Sequence, residues 1–170
     1  MRILAMDTAT KSCSVAVAEK ETILREITNV SEQTHSKHLL EMVHAVIEES
    51  GLTLSELDGF AITKGPGSFT GLRIGISSIK GLALAVNRPV VGISSLQALA
   101  QQIGTTSHLI CPLIDARKGE VYTSIYRYGK QALISVLEER ALAPYEAVRN
   151  INSPCIFVGS GAVLYRDLIM

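Results

Sequence analysis

An α/β fold, duplicated into two lobes that each carry a mixed sheet flanked by helices, is the class this sequence predicts. Three observations carry it. Short apolar runs bounded by polar turns alternate with segments whose apolar residues recur at helical spacing. The pattern of apolar strand, aspartate, polar turn and second strand occurs at Asp7 and returns at Asp115. The order βββαβ that opens the chain is read again in its second half. A single mixed sheet with a coincidental repeat is the alternative.

"RILAMDT" is an apolar run ending in Asp7 and reads as a buried strand. "CSVAVAE" resumes extension after the turn "ATKS", and "TILREITN" follows "EKE" as a third strand. Connections this short require antiparallel neighbours. From Gln33 to Ser50 the period becomes helical through Leu39, Met42, Val43, Val46 and Ile47, and Gly51 supplies the stop. "LDGFAIT" is a fourth strand. A glycine-rich stretch then leads into a second helix, Ser68 to Val86. "PVVGI" is a fifth strand, and "SSLQALAQQI" starts with capping serines and reads as a third helix. Residues 1–106 thus form a first lobe, βββαβαβα. In residues 107–170 "HLICPLID", "EVYTSIYRY" and "ALISVLEE" are strands. "APYEAV" starts a helix with Pro144 in its first turn, and "PCIFVGSGA" is a strand running into glycines, giving βββαβ.

The chain has 170 residues, 47% of them apolar, enough for one globular unit or two small lobes sharing a cleft. Lys and Arg number 16 against 16 Asp and Glu, so there is no electrostatic footprint for nucleic acid. "MRILAMDTAT" reaches an acidic residue too early for a signal peptide, and no apolar run spans a bilayer. Cys13, Cys111 and Cys155 are odd in number, far apart in sequence and form no C-x-x-C pair. Neither a disulfide framework nor a zinc site is indicated, and a reducing cytosol is expected.

"GPGSFTGLRIGISSIKGLA" places Gly71, Gly75 and Gly81 inside a helix, each costing about 1 kcal/mol against alanine. Neither common phosphate template is met: Gly71 follows Gly65 by six positions. Gly71 is followed by Leu72 and Arg73 where a Walker loop needs Lys and Ser or Thr. Thr70 stands where the dinucleotide pattern needs its third glycine. Gly71, Gly75 and Ser78 share one helix face. Small residues there let another backbone approach, from the lobe's own sheet or from another molecule. The loop's free N–H groups are also placed to hold an anion.

Asp7 and Asp115, each ending a strand, would face a cleft between lobes, where carboxylates hold magnesium on a nucleotide. Thr8, Thr10, Arg117 and Glu120 accompany them as cleft candidates. Each aspartate equally suits a turn cap, and "DARKGEVY" a charged, solvated turn. His35 and His38, three apart on a helix start, lack a third ligand, so no metal site is expected. No serine stands in a G-x-S-x-G elbow.

"ILAMDTAT", "GPGSFTGLRIGISSIKGLA", "GISSL" and "DARKGEVY", in this order, resemble the TsaB (YeaZ) family, down to about Tyr122, with "VGSGA" a looser match. The resemblance implies the actin-like (ribonuclease H-like) form of the duplicated fold. It implies a role in making threonylcarbamoyladenosine in tRNA, as a non-catalytic scaffold for the transferase TsaD together with the ATPase TsaE. TsaD's metal-binding histidine pair and the glycines of an actin-like phosphate loop are both missing here. The chain itself then needs no cofactor, and ATP or ADP with magnesium would belong to the complex. The resemblance also implies pairing through the first two helices, as homodimer or with TsaD. The expected interface residues are His35, Leu39, Met42, Phe69, Thr70, Gly71, Arg73, Gly75, Ser77 and Lys80. tRNA would be held through the complex, in the cytoplasm and without a membrane. Family members continue past "VGSGA", so the second lobe is expected to be incomplete. The competing classes are a small phosphotransferase or ATP hydrolase using Asp7 and Asp115, and a glycoprotease-like metallopeptidase.

Overall fold

The central strand of the first sheet is β1 (Arg2–Asp7), where Leu4 and Met6 alternate inward. A computed structural model describes residues 1–30, 38–130 and 132–169. β1 pairs antiparallel with β2 (Ser12–Glu19), Asp7 lying opposite Ser14, and β2 pairs antiparallel with β3 (Thr22–Val30). After α1 (Leu39–Glu49) and a 3-10 turn (Leu54–Glu56), β4 (Gly59–Gly65) returns parallel to β1. A connection through a helix is what a parallel neighbour needs. α2 (Phe69–Ala85) and β5 (Val90–Ser94) complete the sheet order β3-β2-β1-β4-β5.

The core of this unit is the alternate face of β1, β2 and β4 under two helices. Leu4, Met6, Val15, Val17, Phe60 and Ile62 pack with Leu39, Val43 and Val46 of α1 and with Ile79 and Ala83 of α2. Each such side chain contributes about 1.5–3 kcal/mol when fully buried. α1 ends at Gly51, whose φ of +67° fits the left-handed stop that glycine supplies. The expected start of this helix, residues 33 to 37, lies outside the described residues.

The second unit begins with α3 (Ser95–Gln102). β6 (Leu109–Arg117), β7 (Glu120–Tyr128) and β8 (Leu133–Leu142) form an antiparallel meander. α4 (Pro144–Val148) then leads to β9 (Cys155–Val158), parallel to β6, in the order β8-β7-β6-β9. Two short helices follow, α5 (Ser160–Leu164) and α6 (Arg166–Ile169). The three-strand meander with a parallel fourth strand therefore occurs twice, so the duplicated reading holds and the single-sheet alternative does not.

The chain divides into Met1–Ile93 and Ser94–Met170. The expected boundary at residue 106 moves back to 93, because α3 is not part of the first unit. Its apolar side, Leu96 and Ala100, is buried with Ile110, Ile114 and Tyr126 of β6 and β7. No helix among the described residues is long and apolar enough to cross a membrane.

Candidate functional site

The glycine stretch builds a helix with two unlike flanks. Ser68 caps α2, its Oγ accepting from Gly71 N–H at 3.2 Å. Gly71, Gly75, Ile79 and Ala83, four residues apart, are buried. The Thr8 hydroxyl donates to the Gly71 carbonyl at 2.8 Å. A Cβ on Gly75 would collide with Thr8 Oγ1 and come within 3.1 Å of Ile62 Cδ1. The small flank thus lies on the first unit's own strands. This settles the alternative left open above and corrects the assignment of Gly71 and Gly75 to an intermolecular interface. Gly81 differs, since a Cβ there meets nothing within 4 Å.

On the opposite flank Phe69 is 73% exposed and Leu84 82%, with Thr70, Arg73, Ser77 and Lys80 exposed along the same side. The Arg73 guanidinium stacks over the Phe69 ring, 5.4 Å from its centroid. α2 carries no acidic residue. Phe69, Thr70, Arg73, Ser77 and Lys80, expected at an interface, are thus all exposed. Leu39 and Met42 are not. They are 1% and 7% exposed and face their own core, because they share the apolar stripe with Val43 and Val46. Their neighbours Leu40 and His44, one turn apart, point to solvent instead. The sequence signal for them was available: they fall between the stripe positions. His35 lies outside the described residues. His38 stands 3.3 Å from Glu41.

The two aspartates hold their own turns. Asp7 Oδ1 accepts from Ala9 N–H at 2.8 Å and from the Thr63 hydroxyl at 2.7 Å. Thr63, from the parallel strand β4, was not anticipated, since only the fold brings it there. Ser68 N–H, at the N-cap of α2, donates to Ala9 O at 2.6 Å. A Cβ on Gly67 would strike that same carbonyl. The loop ahead of α2 thus packs its backbone against the turn that follows β1. Thr8, expected at a cleft, is fully buried with its hydroxyl spent on Gly71. Thr10 Oγ1 pairs with Ser12 Oγ at 2.8 Å.

Asp115 Oδ1 accepts from Arg117 N–H at 2.8 Å, and Asp115 N–H donates to Ser160 Oγ at 3.2 Å. Arg117 and Glu120 face each other across the β6–β7 hairpin. The two residues between them, Lys118 and Gly119, have φ of +53° and +78°, as a type I′ turn requires. "DARKGEVY" is a tight hairpin whose charged residues are set by the turn. Among the described residues no group of three or more His, Cys, Asp or Glu is placed to hold a metal.

The chain matches the family model "TsaD: tRNA N6-adenosine threonylcarbamoyltransferase" over residues 22–164. It is 37% identical to the tRNA threonylcarbamoyladenosine biosynthesis protein TsaB of Escherichia coli (strain K12), across 99% of this chain and 75% of that protein. It is 32% identical to the protein of the same name from Bacillus subtilis (strain 168), with the same coverage. The solved structure of YeaZ from Pseudomonas aeruginosa superposes with a TM-score of 0.88 at 34% identity, covering 99% of this chain and 80% of that one.

Proposed function

The chain belongs to the TsaB family of tRNA threonylcarbamoyladenosine biosynthesis proteins, and on that premise we propose that it acts there as a non-catalytic subunit. Its task is to dock the transferase TsaD through the exposed flank of α2, with the ATPase TsaE joining the same assembly. The observation that carries this reading is the division of labour on α2. The glycine flank is consumed by Thr8 and Ile62, while Phe69, Arg73, Ser77 and Lys80 project from a rigidly seated 17-residue helix. A helix held so firmly presents its outer side chains in a fixed array, which lowers the ordering cost of association.

The charges of this surface favour pairing with a copy or a paralogue. α2 offers Arg73 and Lys80, while exposed positions of α1 carry Glu41, Glu48 and Glu49. In a two-fold arrangement each basic helix meets the partner's acidic one, and a TsaD of related fold can replace the second copy. The balanced net charge leaves tRNA to the partners. Asp7 and Asp115 each spend a carboxylate oxygen on their own turn, which supports a role without phosphoryl chemistry. On this reading the chain needs no cofactor, nucleotide and magnesium belong to the assembly, and the working compartment is the cytoplasm.

Affinity capture of TsaD and TsaE with the tagged chain tests the proposal. Phe69→Ala and Arg73→Glu should each reduce TsaD capture at least about tenfold, as loss of an aromatic or arginine anchor does, with unfolding temperature unchanged. Unaltered capture, or magnesium–ATP turnover by the chain alone that Asp7→Ala abolishes, would overturn it.

A further inference from the structure

Glu139 is an exposed residue of the edge strand β8, yet its carboxylate is drawn onto the start of α3. Its Oε1 accepts from the Ser94 hydroxyl and, at 3.3 Å, from the Tyr126 hydroxyl. The strand is shaped for this reach. β8 pairs with β7 at Arg140 and Thr123 and next at Leu137 and Ile125, three residues against two. An extra residue in one strand is a bulge, which bends the strand and re-aims a side chain. Glu139 lies in that bulge. Ser94 is the N-cap of α3, its Oγ accepting from Gln97 N–H at 3.2 Å. The carboxylate therefore sits at the positive end of the α3 dipole.

A second feature of this place lacks the acceptor it needs. Ser95, the first residue of α3, is 4% exposed, and its Oγ has no hydrogen-bond partner among the described residues. Side chains of a helix tilt toward its N-terminus, so this hydroxyl is aimed at the same end. A buried hydroxyl left unpaired carries its full desolvation penalty. Glu139, tethered through β8, leaves Ser95 unsatisfied, whereas an anion free to settle has a second oxygen to offer it. Tyr126 stays a proton donor, because burial above all raises its phenol beyond the ordinary range.

We propose that the start of α3 is a carboxylate-binding cradle, occupied in cis by Glu139 and open to a small free carboxylate that displaces it. The lining selects the ligand. Ser94, Ser95 and Tyr126 are neutral hydroxyl donors, and no cation pairs with Glu139 among the described residues. Phosphate is ordinarily met by Lys or Arg. One delocalised charge is matched by hydroxyls and the roughly half charge of a helix start. Ligand and Glu139 compete for the Ser94 and Tyr126 hydroxyls, so binding frees the bulged stretch of β8 from α3.

The test titrates acetate into the isotope-labelled full chain and follows the amide resonances of Ser95, Leu96 and Gln97. Tethering gives Glu139 an effective concentration of roughly millimolar order, so Glu139→Ala should bind acetate at least about tenfold more tightly than wild type. Glu139→Gln keeps the shape of the plug and should stay as weak as wild type. Ser95→Ala added to Glu139→Ala should weaken binding about fivefold, as loss of one hydrogen bond does. Inorganic phosphate at equal ionic strength should bind less tightly than acetate. Position 139 is exposed on an edge strand, so its variants fold, and retained dispersion of the spectrum checks this. Acetate binding in Glu139→Ala that is no tighter than in wild type, that Ser95→Ala leaves unaltered, or that phosphate surpasses overturns the cradle.

Discussion

In the first unit the chain leaves β4 through Gly65 at φ +107° and enters α2, whose Gly75 sits against Thr8 just past the end of β1. In the second it leaves β9 through Gly159 at φ +103° and enters α5, where a Cβ on Gly161 would come within 3.0 Å of the Leu113 carbonyl of β6. The same joint is made twice with different residues. Both need a glycine in the left-handed region and a second one where helix and first strand come close. The difference is length: α2 runs 17 residues and α5 five. A five-residue helix has little surface beyond what packs on its sheet. α2 has a second flank left over, and the docking reading rests on that surplus.

The largest effect should come from filling the first joint. Gly75→Val forces a branched side chain into Thr8 and Ile62 and should cost about 3 kcal/mol or more, at the upper end for overpacking. Gly161→Ala meets Leu113 O and Val121 Cγ1 at 3.0 Å each and should cost about 1–2 kcal/mol. Urea unfolding measures both, and an unmoved midpoint for Gly75→Val would break the comparison. Disruption at Gly75 should therefore appear first as lost stability, with weaker association a consequence.

The aspartates sharpen the same contrast. Asp7→Ala strands the Ala9 amide and the Thr63 hydroxyl and should cost about 2 kcal/mol, since hydrogen bonds to charged groups are the stronger ones. Asp115→Ala frees only the Arg117 amide and should cost about 1 kcal/mol. Equal losses would show the two turns to be built alike. On the outer flank of α2 the sign reverses. Gly81 faces open space, so Gly81→Ala should raise stability by about 0.5–1 kcal/mol through helix propensity, as a higher urea midpoint.

The smallest effect lies at the 3-10 turn. Backbone and side-chain hydrogen bonds from Thr53 hold the Glu56 carboxyl below its ordinary value. A carboxyl lowered on folding stabilises above its unfolded value, about 4.3, and loses that contribution as pH falls through the folded one. Glu56→Gln should flatten the acid limb of the stability curve and leave its slope near neutral pH unaltered.

Strands, turns and the repeat were legible in the sequence because period-two patterning and turn lengths of a few residues are local properties. The exposure of Phe69, Arg73, Ser77 and Lys80 was legible too, since about half a helical turn separates them from Gly71 and Gly75. Leu39 and Met42 were misplaced because an apolar residue at helical spacing suits a core and an interface equally. α3 was assigned to the wrong unit for a related reason: Leu96 and Ala100 make an apolar stripe that would fit either sheet.

The order of elements, the position of Asp7 at a strand end and the existence of a two-flanked glycine helix were fixed by residues within a few positions of one another, whereas β6 runs two residues past Asp115 to Arg117. Which neighbour fills the glycine flank, which sheet receives α3, and that Glu139 reaches Ser94 and Tyr126 were decided by the tertiary structure alone. Each depends on the register between segments far apart along the chain. Cross-strand pairing and shape fit set that register, and no local period encodes it.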